Sequence, residues 1–526
     1  MTNAALKACR DRNLDFNKLF RWQYLIGKSI EEELPMARHR VGDWDVAVGA
    51  QLPVTLLKDR AGVVLGLVLG IAVSPSGFVG GMEEDWQFQV AELDSEAADF
   101  FDIFEIWLKP LAGRYTILLN VQGQSRLYCD PVGMNGVVYD RQSRRIASST
   151  LLCLNRPMEP NGLFDHDMVA GGKGKFSLFH TQDAQVRRCN PNCYIDLATF
   201  EEHRFWPKEE TFTSRDSDLM AVYSELAANT KHVVGAVNAR YTTALPLSGG
   251  QDSRLLAAMA GDEIHAFDQF FTHIHNYASR IDTAIAGEIA RSLQLKHSVF
   301  DKRSVKVDAA QVEHSQMEFE VAAGVVAPQN REIAAGLDQG LTDGGVVMRG
   351  HQTDLLRAVF IDKLGKQGRE DFRWQIKRLL IVPPRDFNGT VYRKYLPLYQ
   401  DWYESLPDTA RHKSVDFMFL EIYYSSTLGL TFPALHRSFF MSPFNSRRNI
   451  ELSLSIDDSY RRAGHAVNDI LLLNNPALHA LPFDYEFGGK NKLDAILDTA
   501  RMELLTQDRR TATYKRVSAL CSARRV

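Results

Sequence analysis

Residues Leu247 to Leu256 read LSGGQDSRLL. Gly249 and Gly250 permit a tight turn and let a ligand approach the backbone. Ser248 and Ser253 add hydroxyls, and the amides opening the following helix favour anionic oxygens. Asp252 narrows the chemistry further. A carboxylate beside an anion-binding turn repels its ligand unless a hard cation lies between them, so the pattern implies a phosphate chain held with Mg²⁺. The same letters admit a plainer meaning, in which Ser-Gly-Gly turns a strand into a helix and the aspartate caps it.

The first five letters, LSGGQ, are also the signature of transporter-type ATPases, which works only opposite a Walker A loop, GxxxxGK[ST]. Trp22–Ser29 (WQYLIGKS) ends in GKS but carries Trp where the first glycine must turn, and Gly171–Ser177 (GGKGKFS) has the wrong spacing. Ile264–Gln269 (IHAFDQ) has the look of a Walker B strand with no phosphate loop to serve.

Periodicity supplies the elements that must hold the stretch. TTALPL (Thr242–Leu247) predicts a strand running into SGG and a helix, DSRLLAAMA. IHAFDQFF predicts a second strand, IDTAIAGEIARSLQ a helix, HSVF a third strand, and GGVVMRG opens another such unit. This alternation predicts a parallel sheet. Pro246 removes at most one ladder bond at the end of its strand. From about Asp371 the sequence is helix-rich, and its basic tail from Arg509 reads as a solvated end. Between about Val46 and Trp206 the text differs: short β-branched and aromatic runs such as GRYTILLNV (Gly113–Val121) and RLYCD (Arg126–Asp130) predict mostly antiparallel β structure. AGVVLGLVLGIAV (Ala61–Val73) is too short for a membrane span and predicts a buried strand. A helix is predicted from about Asp216 to Arg240, so the change of character divides the chain into domains 1–210 and 211–526.

The 526 residues, 45% hydrophobic and 24% charged, suit an ordinary soluble protein with sizeable cores. A net charge of −4 gives no global positive field for nucleic acid or an anionic membrane. Only Cys189 and Cys193 of the six cysteines lie near one another, a poor zinc half-site that fits a reducing cytosol. The first residues are broken by Lys7, Arg10, Asp11 and Arg12 before an export signal could form, so a cytoplasmic location is expected.

LSGGQDS resembles the pyrophosphate-binding loop of the N-type ATP pyrophosphatases, which adenylate a carbonyl or carboxyl oxygen and release pyrophosphate. Gly350-His351-Gln352-Thr353-Asp354 resembles the G-x-G-x-D-E element of the asparagine synthetases, with Leu355 where the glutamate stands. MSPFNSRRNIELSLSI (Met441–Ile456) resembles their PFLD segment with Asn445 for aspartate, and LHALP (Leu478–Pro482) follows. In the first half, GRYTILL, DPVGMNGVVYD (Asp130–Asp140) and IASST (Ile146–Thr150) resemble their glutamine-hydrolysing domain. Those glutaminases begin with a catalytic cysteine, whereas this chain reads Met1-Thr2-Asn3. The resemblance, to the asparagine synthetase and β-lactam synthetase-like family, spans most of residues 100 to 485.

It implies an α/β fold: an N-terminal αββα glutaminase-like (Ntn-type) β sandwich without glutaminase activity, then a parallel-sheet ATP pyrophosphatase domain with a helical C-terminal part. ATP and Mg²⁺ are the implied cofactors, Asp252 and Asp354 the metal ligands. Leu247, Ser248, Gly249, Gly250, Gln251, Ser253 and Gly350 line the nucleotide site, with adenine contacts at Phe271 and Thr272. The family lysine that faces the departing phosphates has no counterpart between the PFLD-like and LP elements. Its charge falls to Arg462 or Lys490, with Arg461, His465 and Lys492 as further candidates. Expected partners are a small-molecule or peptide carboxylate and an amine, with a homodimer open and no nucleic acid or membrane. The expected activity is AMP-forming amide synthesis. The alternatives are another use of the adenylate, such as thiolation or lysidine formation, or a nucleotide-binding pseudoenzyme that binds a partner.

Other residues carry weaker signals. Asp282 reads first as an acid in a helix's first turn. His273 and His275 could suggest metal, though a polar strand end accounts for them. Glu421 and Tyr423 could serve an incoming amine as a base pair or line a buried aromatic helix face. Arg357 could touch substrate or cover the helix of Asp354.

Overall fold

The computed structural model describes residues 2–30, 33–81, 86–213, 218–361, 371–383, 385–487 and 498–523. The fold is mixed α/β, with antiparallel, mixed and parallel strand pairings among many helices. The chain divides into two compact units. The first comprises Met1–Thr211, Glu313–Gln329 and Lys363–Phe439; the second comprises Phe212–Val312, Asn330–Asp362 and Phe440–Val526. The change of unit at 211 falls where the composition changes, but 313–329 and 363–439, assigned by sequence to the second domain, cluster with the first unit.

The first unit is built on a six-stranded and an eight-stranded sheet. The apolar run expected as core forms the Val64–Ser74 strand, buried in all but its first residue. It pairs antiparallel with Val54–Lys58 and with Ala112–Val121, which in turn pairs with Gln124–Cys129. Among the described residues of this sheet, only Val54–Lys58 with Gln87–Gln89 pairs in parallel. Asp130 turns the chain after these strands, its carboxylate accepting from the amides of Val132, Met134 and Asn135 at 3.2, 3.1 and 3.2 Å. The sheets meet where the Tyr24 hydroxyl donates to the Gly136 carbonyl at 2.7 Å and lies 3.2 Å from Thr116 Oγ1. All six cysteines are free thiols, and all but Cys521 are buried.

The second unit carries a five-stranded sheet in the order His297–Asp301, Gln269–Ile274, Thr243–Pro246, Val346–Met348, Phe439–Met441. Its first three pairings are parallel, as the strand–helix alternation predicts. Pro246 ends the central strand opposite Phe271, so its missing donor falls where pairing gives way to loop. The expected strand beginning at Ile264 is corrected: Gly261–Ala266 is a 3₁₀ turn, and the strand starts at Gln269. Gly261 breaks the helix before it with φ 57°, which leaves too few residues for an extended run before Gln269. The long helix is Leu219–Asn238. Among the described residues, no helix is long and apolar enough to cross a membrane.

Candidate functional site

The central parallel strand ends at Pro246, and Leu247–Gly250 lead into the Gln251–Ala260 helix. Leu247 is still tied to the sheet: its amide donates to the Phe271 carbonyl at 2.9 Å, and its own carbonyl accepts from Thr272 Oγ1 at 2.7 Å. The Phe271 carbonyl is thereby engaged within the sheet, and Thr272 Oγ1 also lies 2.9 Å from His297 Nε2. Both residues are buried.

The turn itself is held by its own oxygens. The Ser248 amide donates to Ser253 Oγ at 3.2 Å, the Gly250 amide to Ser248 Oγ at 3.3 Å, and the two hydroxyls are 2.9 Å apart. The Gly249 amide donates to Asp282 Oδ1 at 3.0 Å. The donors left for an anion are therefore one turn further on, in the helix opened by Gln251, Asp252 and Ser253, whose N-terminus carries no side-chain cap. Neither glycine uses a left-handed backbone; Gly250 has φ −78°. Gly249 is needed for space, because a Cβ there would lie 2.7 Å from Ile285 Cδ1 and 3.1 Å from Asp282 Oδ1. At Gly250 a Cβ would meet only Ser248 Oγ, at 3.5 Å, so the turn stays open on that side.

Asp282 does not sit in a helix's first turn. The Tyr277–Ser292 helix begins five residues earlier behind an Asn276–Ser279 capping box, which puts Asp282 in its second turn and against the glycine loop. Burial raises its carboxyl, the Gly249 amide lowers it, and the charge of Asp484 raises it again, with a net upward shift.

Asp354 reaches the same place from the next strand. After Val346–Met348 the chain passes Gly350 into the Thr353–Arg357 turn. Gly350 packs on the backbone that opens the loop helix; a Cβ would stand 2.3 Å from the Asp252 carbonyl oxygen. Gln352, where the resembling element has its second glycine, is held at φ 67°. The Asp252 and Asp354 carboxyls lie close enough to hydrogen-bond each other, and Thr353 Oγ1 is 3.4 Å from Asp252 Oδ1. Lost hydration, then the neighbouring Asp354, push the half-buried Asp252 up to about 8, against the lowering charge of Arg357. Arg357 bridges the pair, with Nη2 3.0 Å from Asp252 Oδ2 and 2.5 Å from Asp354 Oδ1. It thus lies on the carboxylates that the sequence reading gave to Mg²⁺. Two crowded carboxylates and a hydroxyl are hard oxygen donors, a set that fits Mg²⁺ completed by phosphate oxygens and water. Among the described residues, no cluster of three or more His, Cys, Asp and Glu side chains is placed to hold a metal.

The LP segment covers the turn because Arg254, fully buried, donates to the carbonyls of Leu481 and Pro482 at 2.7 and 2.8 Å and lies 4.3 Å over the Phe483 ring. The Asp484 amide donates to the Gly249 carbonyl at 3.1 Å, and Gln251 Nε2 to the Tyr485 hydroxyl at 3.0 Å. Arg254, Asp484 and Tyr485 were not singled out from sequence; a buried arginine following the loop aspartate carries no motif of its own. In the PFLD-like segment, Asn445 is buried and Ser442 Oγ donates to the His351 carbonyl at 2.9 Å, which ties that segment to the Asp354 turn.

The other candidates separate. Arg461 is fully buried and structural, donating to the Leu355 carbonyl at 2.7 Å and pairing with Asp458 at 2.6 Å. Arg462 is exposed on the short Asp458–Arg462 helix. Lys490 and Lys492 lie outside the described residues. Burial pushes His273 down to about 4, and its ring lies tilted against Phe271 and Phe300. Glu421 belongs to the first unit, fully buried, where Arg204 grips it at 2.7 and 3.0 Å and Asn190, Asn192 and Trp402 donate at 3.0, 3.1 and 2.7 Å. Five donated bonds leave that carboxylate no capacity to act as a base. Compared with known proteins, the chain matches no family model, and no curated protein matches it significantly.

Proposed function

We propose that the chain is an ATP-dependent, AMP-forming synthetase that adenylates a substrate carboxylate, releases pyrophosphate and passes the acyl group to ammonia or an amine. The observation that carries this proposal is the meeting of Asp252 and Asp354, from the turns that follow two neighbouring parallel strands, at an uncapped helix N-terminus. Asp252 and Asp354 would hold Mg²⁺. Bound there, the ion would offset charge developing on the departing pyrophosphate. The chain's own groups do the rest. The first-turn amides orient phosphate oxygens, Asp282 keeps the glycine loop in shape, and the buried Phe483 packs under Arg254 on one side. Arg357 supplies the positive charge that the resemblance assigns to a lysine. It keeps that charge near neutral pH but cannot act as a titrating acid there.

The finer fold assignments belong to the same proposal: a glutaminase-like sandwich for the first unit's antiparallel sheets and a pyrophosphatase-type domain for the parallel sheet. So do the cytoplasmic location and the homodimer. Purified protein with Mg²⁺, ATP and a panel of carboxylates and amines is expected to release AMP and pyrophosphate; ADP and phosphate would contradict the proposal. A second possibility, a nucleotide-binding pseudoenzyme, is favoured by Arg357 lying on both aspartates and by the three loop amides already being engaged. ATP binding that survives Asp252→Ala and Asp354→Ala, without turnover, would support it.

A further inference from the structure

The Gly171–Ser177 stretch, GGKGKFS, fails the Walker spacing, yet the fold gives its second lysine an unusual place. Lys175 Nζ is sealed from solvent with no hydrogen-bond partner among the described residues, 4.8 Å from the centre of the Tyr423 ring. Arg378 lies on the same ring at 5.1 Å and donates to its hydroxyl at 3.3 Å. Arg188, 5% exposed, has a sealed and unbonded Nε. Burial, then the charges of Arg188 and Arg378, hold the Lys175 amine well below the usual lysine range. Two other cations of this unit each meet an acid: Arg204 has Glu421, and Arg156 has Asp183 at 2.8 Å. Lys175 and Arg188 have none among the described residues, and a cation–π contact recovers only part of the hydration that a buried ammonium loses.

Beside this cluster opens a cavity of about 410 Å³, a volume suited to a small ligand. Trp374, Lys377, Arg378 and Ile381 line it at spacings of three, one and three, one face of the helix Phe372–Leu380 and the residue that ends it. Lys173 joins them from the glycine-rich stretch, Val382 adds apolar wall, and among the described residues no acid lines the cavity. Arg378 belongs to both the cavity and the buried cluster. A single carboxylate would offset one positive charge of this basic cluster, whereas a phosphate monoester brings up to two charges and three strong acceptors.

We propose that this cavity binds a small phosphate monoester, its phosphate meeting Arg378 and the lysines at the mouth, its apolar part lying on Trp374 and Val382. Lys175 and Arg188 supply positive charge from behind. The site lies within the first unit and is independent of the ATP chemistry. An anion that raises the Lys175 amine back toward its ordinary range makes binding take up a proton and tighten as pH falls. The groups that face Lys175 are Arg188, Arg378 and the Tyr423 ring.

The test uses the full chain at constant ionic strength, with inorganic phosphate, phenyl phosphate and benzoate as probes against chloride. Both phosphates are expected to raise the melting temperature saturably, phenyl phosphate more steeply, and calorimetry in two buffers is expected to show proton uptake. Benzoate is expected to bind about tenfold more weakly or worse, for want of the second charge. Lys175→Met is expected to melt higher than wild type without phosphate and to lose the phosphate response. Arg378→Gln, whose side chain is half-buried, gives the same readout if Lys175→Met fails to fold. A phosphate response unchanged in these variants, benzoate binding as tightly as phenyl phosphate, or no saturable shift in wild type would overturn the proposal.

Discussion

Glu421 is fully buried and Asp252 half-buried, and the chain treats these two acids in opposite ways. Glu421 receives five hydrogen bonds, two from Arg204, so that although burial alone raises its carboxyl, Arg204 and the other donors bring it below the ordinary range. Asp252 is set against another carboxylate, receives Arg357 and Thr353, and is pushed up to about 8. A saturated buried acid is a structural fixture whose ionisation is locked. A crowded pair of carboxylates sharing one arginine is poised to exchange that neutralising partner, which is what binding a cation requires.

The contrast can be broken at either end, the largest effect lying with the fixture. Glu421→Ala leaves the Arg204 guanidinium without its acid and is expected to cost about 3–5 kcal/mol in denaturant unfolding. Because its folded pKa is lowered, Glu421 contributes stability that is present above its unfolded value, about 4.3, and is lost as pH falls through the folded value. Glu421→Gln is accordingly expected to flatten that acid limb of a stability–pH curve. Asp252→Asn or Asp354→Asn is expected to do the reverse, leaving unfolding nearly unchanged while lowering pyrophosphate release on the order of 100-fold or more.

Gly350→Ala sharpens the comparison by disturbing the contact that joins the two turns. Its Cβ would press on the Asp252 backbone rather than on a yielding side chain. A loss of about 1–3 kcal/mol is expected, with a fall in activity. Asp282→Ala removes the anchor of the Gly249 amide. It is expected to cost about 1 kcal/mol and to weaken nucleotide binding measured by calorimetry.

Much of this arrangement was readable in sequence where periodicity is local. The strand through Val64–Ser74, the Ala112–Val121 strand and the passage from Thr243–Pro246 into a helix follow from hydrophobic pattern alone. Asp252 stands out in sequence as a carboxylate after a double-glycine turn, whereas Asp354 is picked out only by the resemblance of Gly350–Asp354 to a synthetase element. What failed to show depends on distant partners. Asp282 reads as a first-turn acid when its helix is started at Ile281, whereas the Asn276 box starts it at Tyr277 and moves Asp282 onto Gly249. That the loop amides are already satisfied by Ser248, Ser253 and Asp282 is a matter of side-chain direction, which spacing does not carry. Residues 363–439 read as part of the second domain because helical periodicity says nothing of which core a helix joins; contacts such as Arg204 with Glu421 decide that.

The most direct test of the carboxylate pair as a cation and nucleotide site is calorimetric titration of ATP into wild type and Asp252→Asn/Asp354→Asn protein, with Mg²⁺ and with EDTA. Saturable ATP binding is expected only in wild type with Mg²⁺. ATP binding of equal strength in EDTA, or in the double variant, would contradict that assignment.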